Sequence, residues 1–216
     1  MTCSRLIRTL RWLLLPMLLA ACGGGGSSDD EAPQTSGPGR LESASQINRI
    51  AVADLTAAVQ MPDSKTAGLV PRYDVINHRL TYRTTDAHGG DIVASALGSV
   101  PVKAAGAKSP LLSYQHATIV KDAEAPSNHA SADEAAVVLA SLGYIVVTAD
   151  YVGYGVSKGA PHPYLLSAPS AAAVIDLLTA AKTWRSTNNI ADNGQLFLAG
   201  YSEGGYTTVA AHRALQ

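Results

Sequence analysis

The run Tyr144–Asp150 constrains the fold of this chain most strongly, because its apolar and β-branched residues are nearly continuous. A strand with no polar face must be covered on both faces, as in a parallel sheet. Helical patterns lie on either side of it, at Ala135–Leu142 and Ser167–Trp184. Shorter apolar runs at Leu111–Tyr114 and Gln195–Ala199 predict two more buried strands. This alternation of strands and helices predicts an α/β domain with a mostly parallel sheet.

The residues before this region follow other patterns. Asp74–Thr84 and Ile92–Val102 alternate between apolar and polar residues across a turn, which predicts an antiparallel hairpin. Upstream, apolar residues at helical spacing predict a peripheral helix over Leu41–Val59. Ser131–Glu134 has the pattern of a capping box that opens the following helix, and Asn193–Gly194 predicts a turn into the last strand.

Length and charge exclude several classes of protein. The 216 residues suit one domain with a leader, and a hydrophobic fraction of 47% is enough for a core. The formal net charge is −1, so the chain lacks the cationic surface that nucleic-acid binding needs. No metal-ligand spacing is present, and we expect neither a metal nor a cofactor.

The N-terminus has the features of an export signal over residues 1–21. A basic segment that ends at Arg11 precedes the apolar stretch Trp12–Leu19, and the small residues Ala20 and Ala21 follow. The apolar stretch is too short to span a bilayer, which takes about 20 residues as a helix. On these features alone, the next residue, Cys22, could be incidental to an ordinary signal.

Leu19–Cys22 resembles the lipobox of bacterial lipoproteins. This resemblance implies that Cys22 carries a lipid and becomes the mature N-terminus, followed by a flexible tether over residues 22–40. Gly23 after the cysteine implies the outer membrane. Cys3 is removed with the leader, so the mature chain has no disulfide.

The segment Gly200–Gly204 reads GYSEG and matches the pattern G-x-S-x-G. The pattern is weak alone, but here a strand is predicted before Gly200 and a helix after Ser202. A nucleophile elbow requires this context, in which a strained turn exposes a serine at the carboxyl end of the sheet. Glycines on both sides avoid collisions, and Gly205 is expected to let the helix pack close to the strand. The remaining alternative is a structural serine in a glycine-rich turn.

Four stretches resemble the α/β-hydrolase fold, and more narrowly the secretory lipases and related serine esterases. They are Tyr114–Thr118, Asp150–Gly155, His162–Leu165 and Gly200–Gly205. The resemblance covers about Tyr73 to Leu215. It implies the N-terminal part of an α/β-hydrolase domain over residues 41–216, made of the hairpin followed by a mostly parallel sheet with flanking helices.

By this resemblance Ser202 is the nucleophile that forms an acyl-enzyme, and an oxyanion hole lies beside it. One donor is the backbone N–H of Glu203, and the other is that of Ala117 or Thr118. The family usually has glycine where this chain has Ala117, and alanine is strained at positive φ. The substrate implied is a small-molecule or lipid ester.

Other polar residues near these motifs are expected to be structural. His116 could be a general base, but we expect it to support the oxyanion loop. Asp150 is expected to cap a turn rather than to act as the triad acid. Lys158 and His162 are interpreted as surface loop residues.

The acid and base of a catalytic triad are not found in these residues. In this fold the order along the chain is serine, then Asp or Glu, then histidine. After Glu203 there is no acidic residue, and His212 lies about 14 Å along the predicted helix. We therefore expect the sequence to be part of a longer hydrolase. The sequence predicts fewer strands than the fold requires, and the last predicted strand is left as an uncovered apolar edge of the sheet.

Two other functions remain open at this stage. One is a serine peptidase or aminopeptidase of the same fold. The other is a non-catalytic, truncated lipoprotein.

Overall fold

The computed structural model of the protein describes residues 36–216. The predicted signal over residues 1–21, Cys22 and the tether up to residue 35 lie outside the described residues. Within residues 36–216, no helix is long and apolar enough to cross a membrane.

One mixed sheet organises residues 36–216. Its strands are β1 (Leu41–Ile50), β2 (Val75–Thr85), β3 (Asp91–Pro101), β4 (Ser109–Gln115), β5 (Ile145–Ala149) and β6 (Asp192–Gly200). Their spatial order is β1-β2-β3-β5-β4-β6. The strands from β1 to β3 are antiparallel neighbours, β3 is antiparallel to β5, and β4 is parallel to both β5 and β6. The predicted hairpin and α/β architecture are confirmed.

Helices cover both faces of the sheet, as the apolar run at β5 requires. The helices are α1 (Val52–Val59), α2 (Ala135–Ser141), α3 (Ser167–Thr187) and α4 (Glu203–Ala214). Val147 packs in a cluster with Leu177 and Trp184 of α3. Its neighbour Val146 points to the other face and packs in a cluster with Val137 of α2. Successive strand residues alternate between faces, so a strand buried on both faces has no position that faces solvent.

The prediction of one helix over Leu41–Val59 was wrong, because Leu41–Ile50 is strand β1. Only Val52–Val59 is helical. Most side chains of β1 are exposed, so the strand lacks the alternation of apolar and polar residues that marks a half-buried strand. Antiparallel pairing with β2 determines its conformation, with Ala44 opposite Leu80.

Strand β6 is longer and more exposed than predicted. It spans Asp192–Gly200, and Leu196 and Phe197 are 43% and 45% exposed. Within the described residues β4 is its only neighbour, so it is an edge strand, as expected, rather than a buried one. Instead of forming a turn before the strand, Asn193 and Gly194 lie inside it, where the register with β4 shifts and Gly194 has a φ of +81°.

The predicted capping box at the start of α2 was also wrong. Glu134 is the N-cap, and its carboxylate accepts a hydrogen bond from the N–H of Ala136 at 3.4 Å. The Ser131 hydroxyl instead donates to Asp133 Oδ1 at 2.6 Å. The helix therefore begins one turn later than a cap at Ser131 would place it.

Candidate functional site

The register of the parallel strands brings the predicted motifs together. Gln115 at the end of β4 pairs with Gly200 at the end of β6. Strand β5 lies on the other side of β4 and ends at Ala149. The carboxyl ends of these strands share one edge of the sheet, where open α/β sheets bind their ligands. The loops after β4 and β5 and the turn after β6 therefore meet there.

Ser202 lies between β6 and α4 with a strained backbone. Its φ is 56° and its ψ is −120°, although it is not glycine. Residues held in such sparsely populated regions cluster at functional sites. Ser202 is exposed, whereas Glu203 and Gly204 after it are buried. This is the local geometry expected of a nucleophile elbow.

Close backbone contacts explain two of the three glycines around Ser202. A Cβ on Gly200 would overlap with the carbonyl group of Gly204. A Cβ on Gly204 would overlap with the carbonyl group of Gln115. At Gly205, by contrast, a Cβ would only meet Gly200 O at 3.7 Å, an ordinary contact. The packing reason expected for Gly205 was therefore wrong.

The candidate oxyanion donors lie at the N-terminus of α4 and in the loop after β4. Glu203 is the first residue of α4, and the first N–H groups of a helix have no partner within it. Because Gly204 packs against the carbonyls of Gln115 and His116, the start of this helix lies beside the loop that contains Ala117 and Thr118. Ala117 is not among the described non-glycine residues with positive φ, so the strain considered for it does not arise.

His116 begins the loop after β4, and its side-chain contacts support that loop. Its ring stacks on Tyr151, with centroids 4.2 Å apart, and its Nδ1 donates to the carbonyl oxygen of Ala117 at 2.7 Å. The Tyr151 hydroxyl donates to the His116 carbonyl oxygen at 3.1 Å. Burial lowers the pKa of His116, which keeps the imidazole neutral near pH 7. These contacts agree with the supporting role expected for His116.

Asp150 is fully buried and anchors the loop after β5. Its carboxylate accepts hydrogen bonds from the hydroxyl groups of Ser95 and Ser127 and from the N–H of Ser127. A Cβ on Gly155 would overlap with Ser95 Oγ and with this carboxylate. Burial raises the pKa of Asp150, and the hydrogen bonds partly oppose that shift. These contacts agree with the structural role expected for Asp150.

The interpretation of His162 as a surface residue was wrong. Its side chain is only 20% exposed, and its Nε2 lies 2.7 Å from Oε1 of Glu203, whose side chain is 4% exposed. The two residues are 41 positions apart, and a histidine in a loop gives no local signal of such a partner. Lys158 does lie at the surface, 3.5 Å from Asp122.

The described residues contain no group of three or more His, Cys, Asp or Glu side chains that could hold a metal ion. His212 lies in the last turn of α4, at the opposite end of the helix from Ser202. The helix has 12 residues and rises about 1.5 Å per residue, so His212 is beyond hydrogen-bond reach of Ser202.

Comparison with known proteins agrees with this arrangement. The family model for secretory lipases matches residues 124–216, which include the loop after β5 and the turn at Ser202. No curated protein sequence matches the chain.

Solved structures match more of the chain than the family model does. The rice cell wall degrading esterase LipA from Xanthomonas oryzae is 31% identical with a TM-score of 0.73; the match covers 82% of this chain and 46% of LipA. A candidate hydrolase from Legionella pneumophila is 29% identical with a TM-score of 0.73, covering 81% of this chain and 47% of that protein. Candida antarctica lipase A, at 20% identity and a TM-score of 0.51, shares the fold; the match covers 82% of this chain and 38% of the lipase.

The sheet, the turn at Ser202 and these comparisons identify the α/β-hydrolase fold in this chain. Within that class it is similar to the secretory lipases and to esterases such as LipA. It spans slightly less than half the length of the two bacterial structures.

Proposed function

We propose that this protein hydrolyses carboxylic esters through an acyl-enzyme on Ser202. The observation that carries the proposal is the backbone of Ser202, held at a φ of 56° between a parallel strand and a helix N-terminus. Glycines at positions 200 and 204 permit this turn, and the candidate oxyanion loop lies beside it. The similarity to secretory lipases and to an esterase supports ester chemistry.

In the proposed reaction, Ser202 Oγ attacks the acyl carbon of the ester and loses its proton to a general base. A bond forms between Oγ and the acyl carbon, and the alcohol leaves with a proton. Water then attacks the acyl-enzyme and releases the acid. The N–H of Glu203, with that of Ala117 or Thr118, stabilises the negative oxygen in both steps. Loss of one such donor costs about 2.7–4 kcal/mol of transition-state stabilisation.

The general base and its acidic partner are proposed to come from sequence outside these 216 residues. Among the described histidines near Ser202, His116 is bonded to Ala117 O and stacked on Tyr151. His162 has both ring nitrogens within hydrogen-bond distance of other groups. The similar bacterial structures extend over about twice the matched length, which leaves room for both residues.

Labelling of the native protein, isolated from its producing cells, with a fluorophosphonate tests the proposal, because this reagent reacts with an activated serine. We expect the label on the peptide that contains Ser202, and none on the Ser202→Ala variant. Ser167→Ala, which changes another exposed serine, is the matched control and should label normally. Labelling that persists in Ser202→Ala would overturn the assignment of the nucleophile.

The substrate class is tested with acyl p-nitrophenyl esters and aminoacyl anilides. Preference for the esters supports a small-molecule or lipid ester as substrate. Preference for the anilides would instead identify a peptidase of the same fold.

We also propose that the protein is exported and anchored to the outer membrane by a lipid on Cys22. The basic and apolar leader, the lipobox-like segment Leu19–Cys22 and Gly23 support this location. The similarity to a family of secretory lipases agrees with export.

A further inference from the structure

The side chain of Glu203, the residue after the candidate nucleophile, forms a buried contact with a histidine. Glu203 follows Ser202 and begins α4, and its side chain turns into the protein, where it is 4% exposed. A buried carboxylate is costly unless a positive group and hydrogen bonds compensate it. Its partner is His162, in the loop after β5.

The hydrogen bonds of His162 determine its protonation. Nδ1 lies 2.9 Å from the carbonyl oxygen of Val152, which can only accept, so Nδ1 carries a proton. Nε2 lies 2.7 Å from the Glu203 carboxylate, which also accepts when ionised. With Glu203 ionised, both nitrogens donate, and this arrangement favours the imidazolium form of His162. Burial lowers the pKa of His162, but the bonds to Glu203 and Val152 outweigh burial, and the net shift is upward.

No other charged group near this pair can replace His162 among the described residues. The titratable side chains that face the pair are His116, Tyr151, Tyr154 and Tyr164. Burial lowers the pKa of His116 and raises the pKa values of Tyr151 and Tyr154, so all three are neutral near pH 7. The side chains of His162 and Glu203 are only 20% and 4% exposed, which strengthens the interaction between their charges relative to an exposed pair.

The position of this pair matters because negative charge develops close to it. In the proposed reaction, the N–H of Glu203 faces the oxyanion, while its own carboxylate lies on the other side of the same residue. An uncompensated carboxylate there would oppose the oxyanion, and because the Glu203 side chain is buried, water screens this repulsion less than it would at the surface.

We propose that His162 is a positioning residue for Ser202 chemistry: it neutralises the Glu203 carboxylate and clamps the first turn of α4 to the loop after β5. This proposal rests on the ester hydrolysis proposed above. It predicts that reactivity of Ser202 declines at alkaline pH, as His162 loses its proton and Glu203 is left uncompensated.

The decisive experiment measures the rate of fluorophosphonate labelling against pH in the native protein and in Glu203→Gln. Glutamine keeps the shape of the side chain, and its amide can donate to the Nε2 of a neutral His162. We expect wild type to lose reactivity at alkaline pH, with a midpoint equal to the pKa of His162 measured by NMR. Glu203→Gln should label about fivefold more slowly at neutral pH, because a charge-assisted bond is lost, but without the alkaline decline.

Two further variants separate charge from shape. His162→Gln leaves Glu203 buried without a cation and is expected to label more slowly than Glu203→Gln, or to fold poorly. Adding Glu203→Gln to it removes the buried charge and should restore part of the labelling. His129→Gln is the matched control, because His129 forms an exposed pair with Asp133 at 3.6 Å in another loop, and it should keep the wild-type profile.

The outcomes distinguish the two proposals. No labelling of Ser202 in wild type at any pH would overturn the proposed function. Normal labelling with the same alkaline decline in wild type and Glu203→Gln would overturn only the role of His162. A pKa of His162 that does not fall in Glu203→Gln would also overturn it.

Discussion

At the scale of single residues, Gly204 and Gly205 are neighbours with opposite requirements. The Cβ of Gly204→Ala would overlap with the backbone of Gln115, which cannot move without disturbing β4. We expect Gly204→Ala to lower the free energy of unfolding by about 3 kcal/mol or more and to reduce labelling of Ser202. The Cβ of Gly205→Ala would make only an ordinary contact. Because alanine is favoured over glycine within a helix, this variant should raise the free energy of unfolding by about 0.5–1 kcal/mol.

Urea denaturation of both variants measures these changes. Equal destabilisation by the two alanines would show that helix packing, rather than the contact at Gly204, limits this turn.

His116 should contribute to stability with a defined dependence on pH. Burial lowers the pKa of His116 in the folded state below its unfolded value of about 6.5. Its contribution is therefore present above about pH 6.5 and is lost as the pH falls through the folded pKa. We expect wild type to lose more free energy of unfolding on acidification than His116→Gln, which cannot titrate. Parallel denaturation curves for the two proteins at each pH would contradict this assignment.

At the scale of elements, the exposed edge strand β6 carries the clearest consequence. Leu196 and Phe197 present apolar side chains on a strand whose outer edge is unpaired within the described residues. Such edges promote association between chains. A preparation of the 216 residues is expected to self-associate, and Leu196→Lys should reduce this association.

Analytical ultracentrifugation measures the effect, with Val120→Lys as the matched control. Val120 is 79% exposed in a loop, so its replacement removes a similar apolar surface away from the edge. An equal effect of both lysines would assign the association to general surface hydrophobicity.

Elements with a strong local signal could be predicted from the sequence, and those fixed by distant partners could not. Strand β5 and helix α3 were predicted correctly. Burial on both faces makes a strand continuously apolar, and burial along one side of a helix places apolar residues at helical spacing. Strand β1 has no such pattern in its sequence, since its conformation comes from hydrogen bonds to β2. The candidate nucleophile could be located from the motif around Ser202, but the contact between Glu203 and His162 could not, because it depends on the tertiary fold.

At the scale of the whole molecule, the intact mass of the native protein tests two expectations together. The chain spans less than half of similar bacterial hydrolases, so we expect a polypeptide longer than 216 residues. We also expect a lipid increment that is absent in Cys22→Ser. Mass spectrometry of membrane extracts measures both.

A native mass equal to that of residues 22–216 with lipid would contradict the proposed source of the base and acid. A mass without any lipid increment would contradict the anchor at Cys22.

The buried carboxylate of Asp150 also has a consequence for the order of folding. Asp150 is bonded to Ser95 of the antiparallel hairpin, 55 residues earlier in the chain. It is also bonded to Ser127, 23 residues earlier. Contacts at such separations form slowly, because the entropy of closing the intervening chain is lost before they stabilise the structure. The loop that carries His162 is therefore expected to become protected from hydrogen exchange only after the hairpin and β5 have come together. The support beneath Ser202 would be among the last parts of the domain to form.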